Sequence, residues 1–396
     1  MEAGWSSAIS LSYFYNETGR NELEGGMIMK IKKRVLLQAM EYAKNAAATD
    51  AVNEILKKVL LDVTKDQITI IGSDLKMSVT SNLRSGFQSD DKDLGKYLVD
   101  PGMFVQLLKE LPGSVEDINL DFDKNITLKY NRSKVKLESF NGAENYPIPE
   151  EEKDVLKSVT VDGTKFAALI DAVGMLALDN KMPVLKAIHI VCENGKMRSE
   201  ACDGHTMAIS ETEVKELAET EKFDFCVEGR CLRSARRMFG NKIMLKITDK
   251  FLFISSDQLR ISIRKVDGKF PDLNQMLSQF AGIGALAISK DELSGVLKRC
   301  SLLKGNKRNP VLLSTEDNLL YVDMTTDKSN LHEELNVFKS GENLKIYLDS
   351  VRLLECINVI PKEDDTLNLY YASMKNPIIL KNEDYLYCVM PIRANA

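Results

Sequence analysis

The chain has 396 residues, 44% of them hydrophobic and 28% charged, with a formal net charge of −5. That apolar mass excludes a disordered chain and suffices for two or three packed cores. The longest apolar runs, such as 283–288, fall far short of the roughly 20 residues that span a bilayer. The acidic balance confines any nucleic-acid contact to a local basic surface on an acidic body.

Residues 1–26, MEAGWSSAISLSYFYNETGRNELEGG, lack the basic start of a secretory signal and read as an N-terminal extension expected to be disordered, with Met27 and Met29 as alternative starts. Asn16-Glu17-Thr18 is a chance glycosylation sequon in that reading. Next comes a helical stripe, Leu36, Met40, Ala43 and Ala47, then KKVLLDVTKDQITIIGSDLKMSV, which alternates with period two between turn residues and predicts a three-stranded meander. Asp100-Pro101 starts a second helix, with a cap followed by proline at the first helical position, and Pro112-Gly113 ends it. A second meander, NLDFDKNITLKYNRSKVKLESF, closes the unit at ENYPIPE.

The same order then recurs twice. Phe166, Leu169, Ile170 and Val173 form a stripe, followed by VLKAIHIVCENGKMRSEACDGHTMAI, a helix from about Arg230 to Phe239, MLKITDKFLFISSDQLRISI and GKFPDLN. Ser289 and Glu292 make a capping box before Leu293, Val296, Leu297 and Cys300. VLLSTEDNLLYVDMTTDKSNLHEE, a helix from about Ser350 to Ile360, LNLYYASMKNPIILKNEDYLYCVM and VMPIR complete the third copy. Asp74, Asp203 and Asp327 are expected at matching turns. The units read as 27–150, 151–281 and 282–396, each an α+β domain with two helices packed on antiparallel sheets.

Seven cysteines without a CxxC pair point to free thiols in a reducing compartment, so the chain is expected to be cytoplasmic. Cys226 and Cys231, spaced CVEGRC, have no second cysteine pair and no neighbouring histidine to complete a zinc site, and no cofactor is expected. In the helix 230–239, Cys231, Leu232, Ala235, Met238 and Phe239 share one face, leaving Arg230, Arg233, Arg236 and Arg237 on the other. Basic clusters recur at Lys32, Lys33 and Arg34, and at Lys298, Arg299, Lys304, Lys307 and Arg308; recurrence at equivalent places argues for a surface that faces a polyanion.

GSDLKMSV at Gly72, ACDGHTMA at Ala201, DGKFPDLNQML at Asp267 and VMPIR at Val389, in this order, make the chain from about Met29 to Arg393 resemble the bacterial DNA polymerase III beta subunit, the replicative sliding clamp. The resemblance implies three tandem clamp domains that close into a ring as a head-to-tail homodimer. It implies encircled, non-sequence-specific double-stranded DNA, no catalytic residues, and tethering of a replicative polymerase, the clamp loader and repair proteins through short peptides. The DNA-facing residues would be Lys32, Lys33, Arg230, Arg233, Arg237, Lys298, Lys304 and Lys307. The peptide pocket would comprise Leu185, Cys202, Gly204, His205, Thr206, Met207, Pro271, Gln275, Met276, Asn376, Cys388, Val389, Met390, Pro391, Ile392 and Arg393. Thr206 and Gln275 stand where the family usually carries basic residues, which leaves open a divergent paralogue that binds partners outside the main replicase. An Asp203–His205 general base lacks a third member in the sequence.

Overall fold

A computed structural model describes residues 29–84, 94–178, 180–217, 222–278, 280, 282–303 and 310–392. The expectation for residues 1–26, and those for Lys304, Lys307, Arg308 and Arg393, lie outside the described residues.

Seven helices are described: α1 (Lys33–Ala46), α2 (Pro101–Glu110), α3 (Gly163–Gly174), α4 (Gly229–Ala235), α5 (Leu273–Leu277), α6 (Lys290–Leu302) and α7 (Ser350–Asn358). Short polar caps fix several starts: Asp100 Oδ1 accepts from Met103 N at 3.0 Å, Asp162 Oδ1 from Thr164 N at 2.8 Å, and Asp349 Oδ1 from Val351 N at 3.0 Å. α4 is shorter than the helix expected to Phe239, because the chain tightens into a 3-10 turn over Arg236–Met238; Cys231, Leu232, Ala235 and Met238 are nonetheless buried on one face. The helices pack in pairs, α1 with α2, α3 with α4 and α6 with α7. Their apolar stripes meet the inner faces of the sheets, as where Leu36, Met40, Phe104 and Leu108 pack with Leu61, Ile70 and Leu120.

The sheets run through the boundaries between repeats, which the sequence does not reveal. The first meander of repeat one (Val59–Val63, Ile68–Ser73, Met77–Leu83) continues into the second meander of repeat two through Met77–Leu83 against Leu259–Arg264, making eight strands. The first meander of repeat two continues into repeat three through Thr206–Glu213 against Tyr385–Val389, making nine. The registers agree: Ser81 lies opposite Leu259 and Ser210 opposite Tyr385. Two four-stranded sheets remain, ending in the edge strands Ser133–Leu137 of repeat one and Asn330–Asn336 of repeat three.

The matching turns are corrected by one residue. Asp74 N–H donates to Met77 O, Asp203 N–H to Thr206 O, and in the third copy Thr326 N–H donates to Ser329 O, so Thr326 and not Asp327 is equivalent. The Thr326 hydroxyl takes over the aspartates' task by accepting from Ser329 N at 3.0 Å.

After its last strand, each repeat sends the chain across to the outer face of its own first sheet. Phe140 N–H donates to Leu98 O at 2.9 Å, Val266 N–H to Cys226 O at 2.8 Å, and Ile392 N–H to Tyr347 O at 2.9 Å. In repeat one the crossing segment lays Phe140, Ala143 and Tyr146 over Leu60, Ile71 and Leu98; in repeat two it lays Phe270 and Leu273 over Cys202, Met207, Ile209 and Cys226.

Candidate functional site

The DGH turn is built by its own aspartate. Asp203 Oδ1 accepts from the backbone N–H of His205 and of Thr206, both at 2.8 Å, and Gly204 supplies the positive φ of +89° that the turn requires. The other carboxylate oxygen, Oδ2, pairs with Arg352 Nη1 from α7, tying the turn of repeat two to a helix of repeat three. Burial works against the charge on Asp203, but Arg352 and the two amide donors outweigh it and hold the carboxyl below the usual range. Asp203 meets the main chain of His205, so the pair is a positioned turn and not an acid–base dyad.

This turn stands at the junction of repeats two and three. Thr206 pairs with Val389 and Met207 with Cys388, and Met390 N–H donates to His205 O at 2.8 Å. Period-two alternation puts Cys202, Met207 and Cys388 on the outer face, where they form one apolar cluster with Phe270 and Leu273, with Leu185 packed against it. Asp272 caps α5 by accepting from Gln275 N at 3.0 Å, which holds Leu273 in the cluster and leaves Gln275 and Met276 exposed beside it. Pro271, Pro391 and Ile392 are half-buried around it. Thr206 is buried, and its hydroxyl has no hydrogen-bond partner. Burial pushes the Cys388 thiol up to about 12 and the Cys202 thiol up to about 11, so these sulfurs serve as apolar floor, not nucleophiles.

Asn376 sits apart from the DGH turn. Its side-chain oxygen accepts from the Ser373 hydroxyl at 2.6 Å, fixing a local turn at the rim of an open hollow of ≈ 1080 Å³. Leu277, Phe280, Tyr370, Ile379 and Leu386 line that hollow, and four of them, all but Tyr370, pack against the Met207–Cys388 cluster. Reading by motif missed these residues. The outward alternation of Leu386, Cys388 and Met390 is the signal that would have found the extended floor.

The basic residues divide. Arg230 and Arg237 are exposed and Arg233 half-buried, while Arg236 is paired with Asp171 of α3. Lys298 is exposed, whereas Arg299 grips Glu333 of the edge strand. Lys32 is committed to Asp117 at 2.9 Å. Lys33 donates to Leu111 O and Pro112 O at the end of α2, just as Lys290 donates to Ile360 O and Pro361 O at the end of α7, so both lysines close the C-terminus of a neighbouring helix.

The family model for the DNA polymerase III beta subunit N-terminal domain matches residues 27–150, and that for the central domain matches residues 160–272. The chain belongs to the DNA polymerase III beta subunit family. Among beta-subunit relatives, the beta sliding clamp of Streptococcus pneumoniae is 23% identical over 394 residues, covering 92% of this chain and 99% of the relative. That of Pseudomonas aeruginosa is 23% identical over 377 residues, covering 93% of this chain and all of the relative. A crystal structure of the P. aeruginosa sliding clamp bound to griselimycin superposes with a TM-score of 0.83 at 21% identity, over 93% of this chain and all of that one, so the chain has the sliding-clamp fold.

Proposed function

We propose that the protein is a sliding clamp: two copies join head to tail into a ring around duplex DNA, and the crevice at Met207 and Cys388 receives short apolar peptide motifs of a replicative polymerase and other partners. The observation that carries the reading is the pair of unmatched edges. Both junctions within the chain join the third strand of one repeat's first meander to the last strand of the next repeat. Applied once more, that rule pairs Asn330–Asn336 with Ser133–Leu137 of the partner subunit, and the two identical seams close the assembly.

The register carries over, setting half-buried Leu331 opposite the partner's Val135 and Asn330 opposite the partner's Lys136. Charge agrees, since one edge bears Glu333 and Glu334 while the other bears Lys134, Lys136 and, in its turn, Arg132. Exposed Arg230, Arg237 and Lys298 on the helices give phosphate-directed attraction that reads no base, and a ring holding DNA by topology needs little more. Metal-ligating clusters of three or more His, Cys, Asp or Glu are absent among the described residues.

Buried, uncharged Thr206 and exposed Gln275 favour, as a second reading, a paralogue whose partners differ from those of the main replicase clamp. Loading on nicked circular DNA followed by linearisation tests the first reading. A dimer of the 44.5 kDa chain that stays on circles and runs off cut ends supports it. A monomer at micromolar concentration, or equal retention on short linear duplexes, refutes it.

A further inference from the structure

Both junctions inside the chain place an uncharged side chain at one outward-facing position of the joining strand. Thr80 lies opposite Arg260 at the first, and Ile209 opposite Leu386 at the second. Each stands six residues after its turn aspartate, Asp74 or Asp203, and six after the equivalent Thr326 stands His332, on the edge strand Asn330–Asn336. In the proposed seam, the register that sets Leu331 opposite the partner's Val135 sets His332 opposite the partner's Lys134. Alternation agrees: Leu331 and Val135 pack inward against their own cores, whereas His332 and Lys134 are exposed.

On the free edge His332 is held between two carboxylates. Its Nδ1 lies 2.6 Å from Asp323 Oδ1 on the neighbouring strand Leu319–Thr325, and its Nε2 lies 3.4 Å from Glu334 Oε1, two residues along the edge. A neutral imidazole has one N–H, so only the imidazolium donates to both. The bonds to Asp323 and Glu334 accordingly hold its pKa above the usual 6.5. Tyr321 stacks on the ring with centroids 5.9 Å apart and stays neutral while His332 titrates, because desolvation, Glu334, Glu316 and Asp317 all raise its pKa. On the opposite face of the strand, Glu333 is gripped by Arg299.

Across the seam the same register puts the partner's Arg132 opposite Glu334. The next residue in the lysine row, the partner's Lys129, is tied to Asp121 within its own repeat at 3.0 Å. With the proton on His332, cation faces cation at the partner's Lys134. With the proton gone, Asp323 and Glu334 present two uncompensated charges to the partner's Lys134 and the partner's Arg132. Like charges directly opposite destabilise an antiparallel pair, and opposite charges stabilise it.

We infer that His332 makes closure of the ring proton-linked: each seam forms with the imidazole neutral and releases to solvent the proton that the free edge holds between Asp323 and Glu334. The inference rests on the ring reading above, whose register supplies the partner's Lys134. The imidazole binds its proton more tightly on the free edge than in the seam, so assembly is favoured above the free-edge value and weakens as pH falls through it. A ring has two such seams, and both contribute to its dimer constant. Acid then loosens the seams and spares the tethered junctions, where Thr80 and Ile209 carry no proton to lose.

The test uses full-length protein, fluorescently labelled and diluted at pH 6, 7, 8 and 9, with the dimer dissociation constant read by sedimentation. The constant should fall about tenfold from pH 6 to pH 9, as two like-charge oppositions per ring are removed. H332N, which cannot take the proton, should stay within about twofold across the range. K134Q keeps His332 and removes the cation opposite; it should weaken the dimer at pH 9 and flatten the profile, which a merely structural role for His332 would not produce. A parent constant that moves less than about threefold or rises with pH, or a profile as steep as the parent's in either variant, would overturn the inference and leave the ring intact. Protein that is monomeric at micromolar concentration at every pH would instead remove the ring reading, and the inference with it.

Discussion

The bond between Arg352 and Asp203 is a charged tie between α7 and the DGH turn, and its energy can be worked from the surroundings. The Asp203 side chain is 16% exposed and that of Arg352 is 32% exposed. Exposed pairs contribute about 0–1 kcal/mol, and breaking a buried pair by removing one partner costs about 3–5 kcal/mol. A pair at this depth should couple by about 2 kcal/mol. Urea unfolding of the parent, R352L, D203N and the double variant gives that coupling directly. The depressed carboxyl fixes the sign with pH: the stabilisation is present above the unfolded aspartate value of about 3.9 and fades as pH falls through the lower folded value. Both single variants should also weaken peptide binding, because His205 and Thr206 are placed by the same aspartate. A coupling under about 0.5 kcal/mol at pH 7 would show that the two amide donors hold Asp203 unaided, and the account of the turn given above would be wrong.

Other substitutions probe separate parts of the fold. G72A would set a Cβ 1.9 Å from Ala43 O and 2.6 Å from Ala43 C in α1; a loss of about 2–3 kcal/mol is expected from urea midpoints, and a neutral result would mean that α1 shifts freely. Burial opposes the charge on His189, but Glu200 at 2.8 Å and Asp224 at 3.0 Å raise its pKa above 6.5. Its contribution is therefore full below about 6.5 and lost as pH rises through the folded value. The melting gap between parent and H189Q should be wider at pH 6 than at pH 9. R230E with R237E should shorten retention on circular DNA and flatten its salt dependence, leaving dimer mass and peptide affinity unchanged.

The repeats, the helix stripes and the DGH turn were legible in sequence because each is set by local period or local capping. Phe166, Leu169 and Ile170 announce their face by spacing alone, and Asp100-Pro101 announces a helix start. Shared sheets were not legible: pairing Ser81 with Leu259 depends on two edges meeting across 178 residues, and alternation within either strand is the same whether or not they meet. The slip from Asp327 to Thr326 was hidden because Thr and Asp serve the turn equally well. For Lys33 the sequence shows the charge but not the helix end that it closes.

The two junctions inside the chain are covalently tethered, so a broken one re-forms against a strand held at high effective concentration. In the proposed ring a seam between two chains would have no such tether, and its lifetime would fall with dilution and with anything that prises Asn330–Asn336 away. In the proposed ring, a closed strand of DNA would therefore be admitted or released at the untethered joints. How long the protein stays on a circle would then be limited by the paired edge strands at its seams, with the exposed helix arginines adding a smaller, salt-dependent share.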